Sequence, residues 1–406
     1  MKANAEGPHA RWLRVVRFAL PDVIAALLFA CSTPASSARP TALEGQHIFR
    51  FDTFGDETFW TDTLRMHEVI EGSALGGIGP GVNPTTALAV GLKVDLDKLP
   101  PSLVTGLRAG QVDLKNPATT VALLKLGAVV GVQATVDTNG RITRFGVTCA
   151  LCHSTVDNAL APGIGRRRDG WPNRDLNPGL ILSLSPALQA PAVHAVLTSW
   201  GAGKYDARWN HDGKNGPVVI PPAYGLAGTK LATYTGEGTI SYWNAYVAVT
   251  QMHGQGSFVD PRTHDDIHHT PDLVTSKLPA LLLYQLSLES PAPPAGSYDT
   301  AAARRGAAVF VGAGRCASCH VPPHYTEADS GLHAPGAVGT DPTLAQRGTT
   351  GRYRTTPLRG LWQHPPYFHD GSAATLDAVV DHYIRVLGLR LRPQQRTDLV
   401  QFLKSL

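Results

Sequence analysis

Apolar and polar residues alternate along the C-terminal stretch at a helical period. Leu399, Val400, Leu403 and Leu406 recur three to four apart behind Pro393, which predicts a terminal helix with one apolar face. Proline suits the first turn of that helix, where a missing N–H costs little. A second helix is predicted after Thr375, a residue able to cap it, because Leu376, Val379, Val380 and Tyr383 fall on one face. A third covers 301–310, with Gly306 and Phe310 on one side. Near the N-terminus the pattern changes. Residues 23–30 are an unbroken apolar run behind Lys2, Arg11, Arg14 and Arg17, followed by small polar residues to Ala38. This is the layout of a secretory leader, 1–38, and the run is too short for a transmembrane helix. Two processing routes stay open: a lipid on Cys31 within Leu28-Phe29-Ala30-Cys31, or cleavage after Ala38.

Hydrophobic residues make up 43% of the 406 and charged residues 17%, enough apolar material for a sizeable core and two domains. The 41 glycines and 31 prolines predict that much of the chain is loop. A net charge of +4 with no clustered basic face argues against a nucleic-acid partner. Arg166-Arg167-Arg168 reads as a solvated turn or a contact to an anionic group.

Four of the five cysteines sit in two motifs, Cys149-Ala150-Leu151-Cys152-His153 and Cys316-Ala317-Ser318-Cys319-His320. Each reads as attachment of a covalent haem c. The two-residue gap lets both thiols reach vinyl groups of one macrocycle, and the adjacent histidine then serves as proximal iron ligand. Zinc sites pair such units, or a His-x-x-x-His partner, at close range; here the motifs begin as far apart as Cys149 and Cys316. Two haems c and an exported location, periplasm or cell envelope, are therefore expected. Membrane contact is expected only if Cys31 is lipidated.

The chain also echoes itself. Gly45-Gln46-His47-Ile48-Phe49 resembles Gly306-Ala307-Ala308-Val309-Phe310. Phe310 stands close before its haem cysteine, Cys316, whereas Phe49 stands far before Cys149. The difference leaves an insertion of about 94 residues in the first copy. That insertion, at about 50–145, is expected to form a lid or side wall. The expected fold is mainly α, with an N-terminal haem domain at 39–289, a Pro-rich linker at 290–300 and a C-terminal haem domain at 301–406.

The stretch Arg354-Thr355-Thr356-Pro357-Leu358-Arg359-Gly360-Leu361, followed by Pro366-Tyr367-Phe368-His369-Asp370-Gly371, resembles the C-terminal hallmark of the di-haem cytochrome c peroxidase and MauG family. The resemblance covers about 140–406. It implies two cytochrome c-like domains. The C-terminal haem takes electrons from a donor, the N-terminal haem meets the oxidant, and a calcium ion often lies between them. Peroxidases of the family supply a methionine to the second haem at a set distance after the motif histidine. Counted from His369, that position is Tyr383, and Met1, Met66 and Met252 all lie elsewhere. MauG has tyrosine there, and rubber oxygenases use histidine, so Tyr383 and its neighbour His382 are both candidate ligands. His382 points about 100° away around the helix.

The resemblance also gives Trp200 as the tryptophan between the haems. The acid that usually follows it further along the chain is missing, since Ile220 holds that position. Glu237 is the remaining candidate, although Gly236 and Gly238 make it equally an exposed turn. Trp243 and Tyr246 are candidates for an apolar oxygen pocket or for plain core. Met252 and His253 read as a packed methionine and a surface histidine rather than ligands. His264, His268 and His269 read as a solvated loop. Asn177, with the backbone oxygens of His364 and Pro366, matches the family's calcium positions. The implied activity is electron transfer from a periplasmic donor to peroxide, dioxygen or another small substrate; a non-catalytic di-haem carrier is the alternative.

Overall fold

The computed structural model describes residues 39–327 and 330–406; the leader and the two routes for Cys31 lie outside them. The described chain is mainly α-helical, and its strands pair only as two-stranded ladders. Among the described residues no helix is long and apolar enough to cross a membrane.

The helices start where side-chain oxygens satisfy free N–H groups. Thr41 accepts from the Glu44 N–H before Ala42–Phe51, Asp299 from Ala302 before Thr300–Val311, and Thr375 from Ala378 before Leu376–Val386. The terminal helix spans Pro393–Lys404 and buries Leu399, Val400 and Leu403.

The sequence echo corresponds to a repeated packing device. Helix Ala42–Phe51 packs on Leu278–Ser287, and Thr300–Val311 packs on Pro393–Lys404. A Cβ at Gly45 would lie 1.9 Å from the carbonyl oxygen of Ala280; one at Gly306 would lie 2.0 Å from that of Asp398. Each glycine therefore sits where two helix backbones touch. One turn on, Phe49 meets Tyr284 edge-on at 5.5 Å, and Phe310 meets Phe402 at 5.1 Å. Two hydrophobic clusters grow around these crossings, one centred on Phe49, Tyr246 and Leu281, the other on Phe310, Val380 and Leu399. The stretch between Ser287 and Thr300 has neither helix nor strand.

The excursion after the first helix leaves and returns at one point, because the Thr148 hydroxyl donates to the Arg50 carbonyl at 3.2 Å. The expectation of extensive loop fails within it. It holds the helices Met66–Glu71, Pro84–Ala89, Pro101–Arg108 and Pro117–Lys125 and a hairpin of Val132–Val136 with Ile142–Val147. Three of its prolines, Pro84, Pro101 and Pro117, stand at helix starts, where proline is favoured rather than disruptive. Trp60, Leu64, Met66, Ile70 and Leu124 from this excursion are buried in the first cluster.

Candidate haem sites

Strand Ile142–Val147 of the hairpin leads into Cys149, and the short helix Ala150–His153 carries the rest of the first motif. His153 Nδ1 lies 3.1 Å from the Pro221 carbonyl. A carbonyl can only accept, so Nδ1 holds the proton and Nε2 keeps its lone pair. In the second motif His320 Nδ1 lies 2.9 Å from the Tyr325 carbonyl, with the same consequence. Burial pulls the His153 pKa down to about 4, and burial also lowers that of His320; both imidazoles are neutral at pH 7, the form that binds iron. No disulfide joins Cys149, Cys152, Cys316 and Cys319. Burial pushes the first two up to about 12 and Cys316 to about 11.

Each motif opens onto a cavity. The first, of about 560 Å³, is lined by Cys149, Cys152 and His153 and is otherwise largely apolar. The second, of about 420 Å³, is lined by Cys316, Cys319 and His320. Two thiols and an oriented imidazole beside a cavity are the donor set for a haem c, so the residues present fit one at each motif. Among the described residues the cavities share six lining residues, Pro221, Pro222, Leu226, Thr233, Tyr234 and Arg354. The Tyr234 hydroxyl donates to the Val219 carbonyl at 3.0 Å, and its ring meets His369 at 6.2 Å.

Two π-helical turns, Thr58–Thr63 and Val247–Gln251, meet at the first cavity. Such turns are frequent at functional sites. The Trp60 indole N–H donates to the Met252 carbonyl at 3.1 Å, and the His253 ring stacks on Phe59 at 3.7 Å. Met252 is buried; His253 is exposed at the cavity rim, with φ +63°. Partial burial, then the neighbouring His211, lowers the His253 pKa.

Several sequence candidates occupy other positions than expected. Trp200 is buried, lines the first cavity only, and donates to Asn215 at 3.1 Å; it does not belong to the wall between the cavities. Glu237 is neither an exposed turn nor a lining residue. Its carboxylate is buried, pairs with Arg208, and accepts from the Thr349 amide and hydroxyl and, at 3.0 Å, from Thr235. Burial raises its pKa, but the bonds from Thr349 and the charge of Arg208 outweigh that and lower it overall. Glu237 is thus an ionised clamp rather than a proton donor to the first cavity. Trp243 lines that cavity with its indole N–H bonded to the Glu237 carbonyl. Tyr246 is core, its hydroxyl donating to Ala207 at 2.6 Å.

In the second cavity Tyr383 lies among the lining residues, near Cys316 and Cys319, and burial raises its pKa to about 12. His382 does not line it; His382 Nε2 donates to the Val338 carbonyl at 2.8 Å. His268 pairs with Asp266 at 2.9 Å on the surface. Among the described residues one cluster of His, Cys and acid side chains approaches metal-binding spacing, Cys319, Glu327 and His333, but Cys319 belongs to the haem motif. Two oxygens of the calcium set already accept hydrogen bonds from the protein. Asn177 Oδ1 accepts from the Leu180 N–H at the start of Pro178–Ser183, and the His364 carbonyl accepts from Arg174 Nη2 at 3.1 Å. Tyr234 and Arg174 were missed at the sequence level because neither lies in a motif or a periodic run.

No protein-family model matches the chain. Over 120 residues it is 37% identical to the methylamine utilization protein MauG of Methylorubrum extorquens, covering 26% of this chain and 34% of MauG. The match thus spans about a third of the length of that curated relative. Among solved structures it is similar to Kuenenia stuttgartiensis hydrazine synthase pressurized with 20 bar xenon, at 20% identity and TM-score 0.33 over 47% of this chain and 73% of that one. It is also similar to a MauG-like protein associated with microbial copper homeostasis, at 20% identity and TM-score 0.33 over 47% of this chain and 74% of that one.

Proposed function

We propose that this chain, which belongs to the di-haem cytochrome c peroxidase and MauG superfamily, is a di-haem c-type oxidoreductase. Electrons enter at the second site, and peroxide or dioxygen reacts at the first. The observation that carries this reading is the shared lining: the two cavities beside Cys149–His153 and Cys316–His320 have Pro221, Pro222, Leu226, Thr233, Tyr234 and Arg354 in common. The chain reads as two cytochrome c-like domains, 39–289 and 301–406, joined by 290–300. The repeated glycine crossings support that division, and the bond from Thr148 to Arg50 supports the insertion at about 50–145.

Two haems c bound at these motifs would supply one-electron redox chemistry. The chain's own residues orient and protect it. His153 and His320 present Nε2, each held by a carbonyl on Nδ1. The Tyr383 phenol lines the second cavity and would help hold a haem there, which suits electron entry. The first cavity is larger and its lining is largely apolar. Reduction of peroxide needs a group that moves a proton. Asp206, the one carboxylate among the described lining residues there, is held by Arg347, and His253 at the rim is the candidate for that task. The electron donor is a periplasmic or envelope protein, and a lipid on Cys31 would bring the chain to a membrane.

A second reading, a non-catalytic carrier, is favoured by Met252 and His253, which both line the first cavity and could each supply a ligand to a haem held there. Resting spectra of the holoprotein decide between them. The enzyme reading expects one high-spin and one low-spin ferric site; two low-spin sites overturn it. Tyr383→Phe is expected to remove the low-spin signal of the second site, and an unchanged spectrum would eliminate Tyr383 as ligand.

A further inference from the structure

We propose that the guanidinium of Arg174 is the fixed cation of this protein at the position where the family resemblance implies calcium. Arg174 Nη2 donates to the His364 carbonyl at 3.1 Å, the oxygen that calcium would need. Calcium takes six to eight oxygens at close range, and the other side-chain oxygen expected for it, on Asn177, caps a helix instead. A divalent ion at the His364 carbonyl would lie against a guanidinium already bound there, and two buried cations repel strongly.

The rest of the guanidinium specifies what it awaits. Arg174 Nε and Nη1 are buried and have no hydrogen-bond partner. Among the described residues no ion pair involves Arg174: its neighbours Tyr224, Tyr234 and Tyr367 are neutral phenols. A buried cation without a counter-charge is costly, and a charge-assisted bond from a guanidinium N–H to a carboxylate relieves that cost. Arg174 lines the second cavity, so the anion assigned to its unpartnered N–H groups is a carboxylate of the macrocycle bound there, one N–H to each carboxylate it meets. This half of the assignment rests on the haem reading; the exclusion of calcium does not. One side chain thereby ties the His364 segment, the Tyr234 wall and the second site together, as a bridging metal ion would.

The test uses the haem-loaded protein. After equilibration with calcium chloride and desalting, metal analysis is expected to find substoichiometric calcium, and EGTA is expected to leave the spectra and both midpoint potentials unchanged. Stoichiometric calcium whose removal alters the spectra overturns the proposal. In Arg174→Met the midpoint potential of the second site is expected to fall, because a positive charge favours the reduced form; Arg174→Lys should retain most of the wild-type value. An unchanged midpoint in Arg174→Met that carries both haems also overturns it. If that variant fails to load haem, the calcium measurement on the wild type still decides. A haemochrome count below two per wild-type chain would overturn the di-haem reading instead and leave the calcium result standing.

Discussion

Replacing Gly306 by alanine puts a methyl group where two helices touch. A Cβ there would lie 2.0 Å from the Asp398 carbonyl oxygen, 2.6 Å from its carbon and 2.8 Å from Phe402 Cβ. Real Cβ contacts essentially never fall under 3.0 Å, so Thr300–Val311 and Pro393–Lys404 must separate by about 1 Å at the crossing. That opens the interface in which Val309 and Phe310 pack with Leu399, Val400 and Leu403. Overpacking of a closed core costs about 1–3 kcal/mol. Alanine recovers about 1 kcal/mol of helix propensity over glycine. The clashing atoms are backbone and cannot rotate aside, so the steric cost lies at the upper end and the net loss is about 2 kcal/mol. Gly45→Ala should cost the same, since its Cβ would meet Ala280 at 1.9 Å. Gly336→Ala is the control: no atom lies within 4 Å of its Cβ, and it is expected to lose nothing. Urea unfolding followed by far-UV circular dichroism reads the midpoint, with the slope unchanged. The haem absorbance of each site should report which crossing was opened. A Gly306→Ala midpoint at or above wild type, or an equal loss in Gly336→Ala, would refute the reasoning.

Two further outcomes are expected. Asp56 is fully buried, and burial, followed by the charge of Glu57, raises its pKa to about 9 against the bond from the Val147 N–H. The folded chain then holds one more proton than the unfolded chain between about pH 4 and pH 9. Stability is complete below that window and falls as pH rises through it; Asp56→Asn should flatten the fall, and an identical pH slope in wild type and variant would count against it. Arg347 and Asp206 are each 2% exposed and paired at 2.9 Å, with Asp212 on the same guanidinium at 2.7 Å. Arg347→Met strands a buried carboxylate and should cost about 3–5 kcal/mol in urea unfolding. Arg347→Lys should recover only part of that, because an ammonium cannot span two carboxylates as a fork does.

What the sequence reveals here follows from how local each signal is. The two Cys-x-x-Cys-His motifs, the Thr375 cap and the apolar face from Leu376 to Tyr383 are each written within one turn or one helix, and all are legible. The glycine echo is legible too, although its meaning is not: Gly45 and Gly306 are repeated because Ala280 and Asp398, far along the chain, press against them. Glu237 shows the limit of local signals. Gly236 and Gly238 do take positive φ, +65° and +74°, as a turn requires, but Arg208 and Thr349 arrive from elsewhere and bury it. Local chemistry specifies the backbone shape and leaves the burial open. The prolines of the insertion mislead for the same reason, since proline at a helix start and proline in a loop look alike until the following turn is packed. That insertion has a physical consequence at the first site. If both cavities hold the same macrocycle, the first, at about 560 Å³ against about 420 Å³ for the second, keeps space beyond it. The excursion supplies Phe59, Trp60, Leu64 and Met66 to that cavity's lining, so it is the part of the chain that makes the two sites unequal.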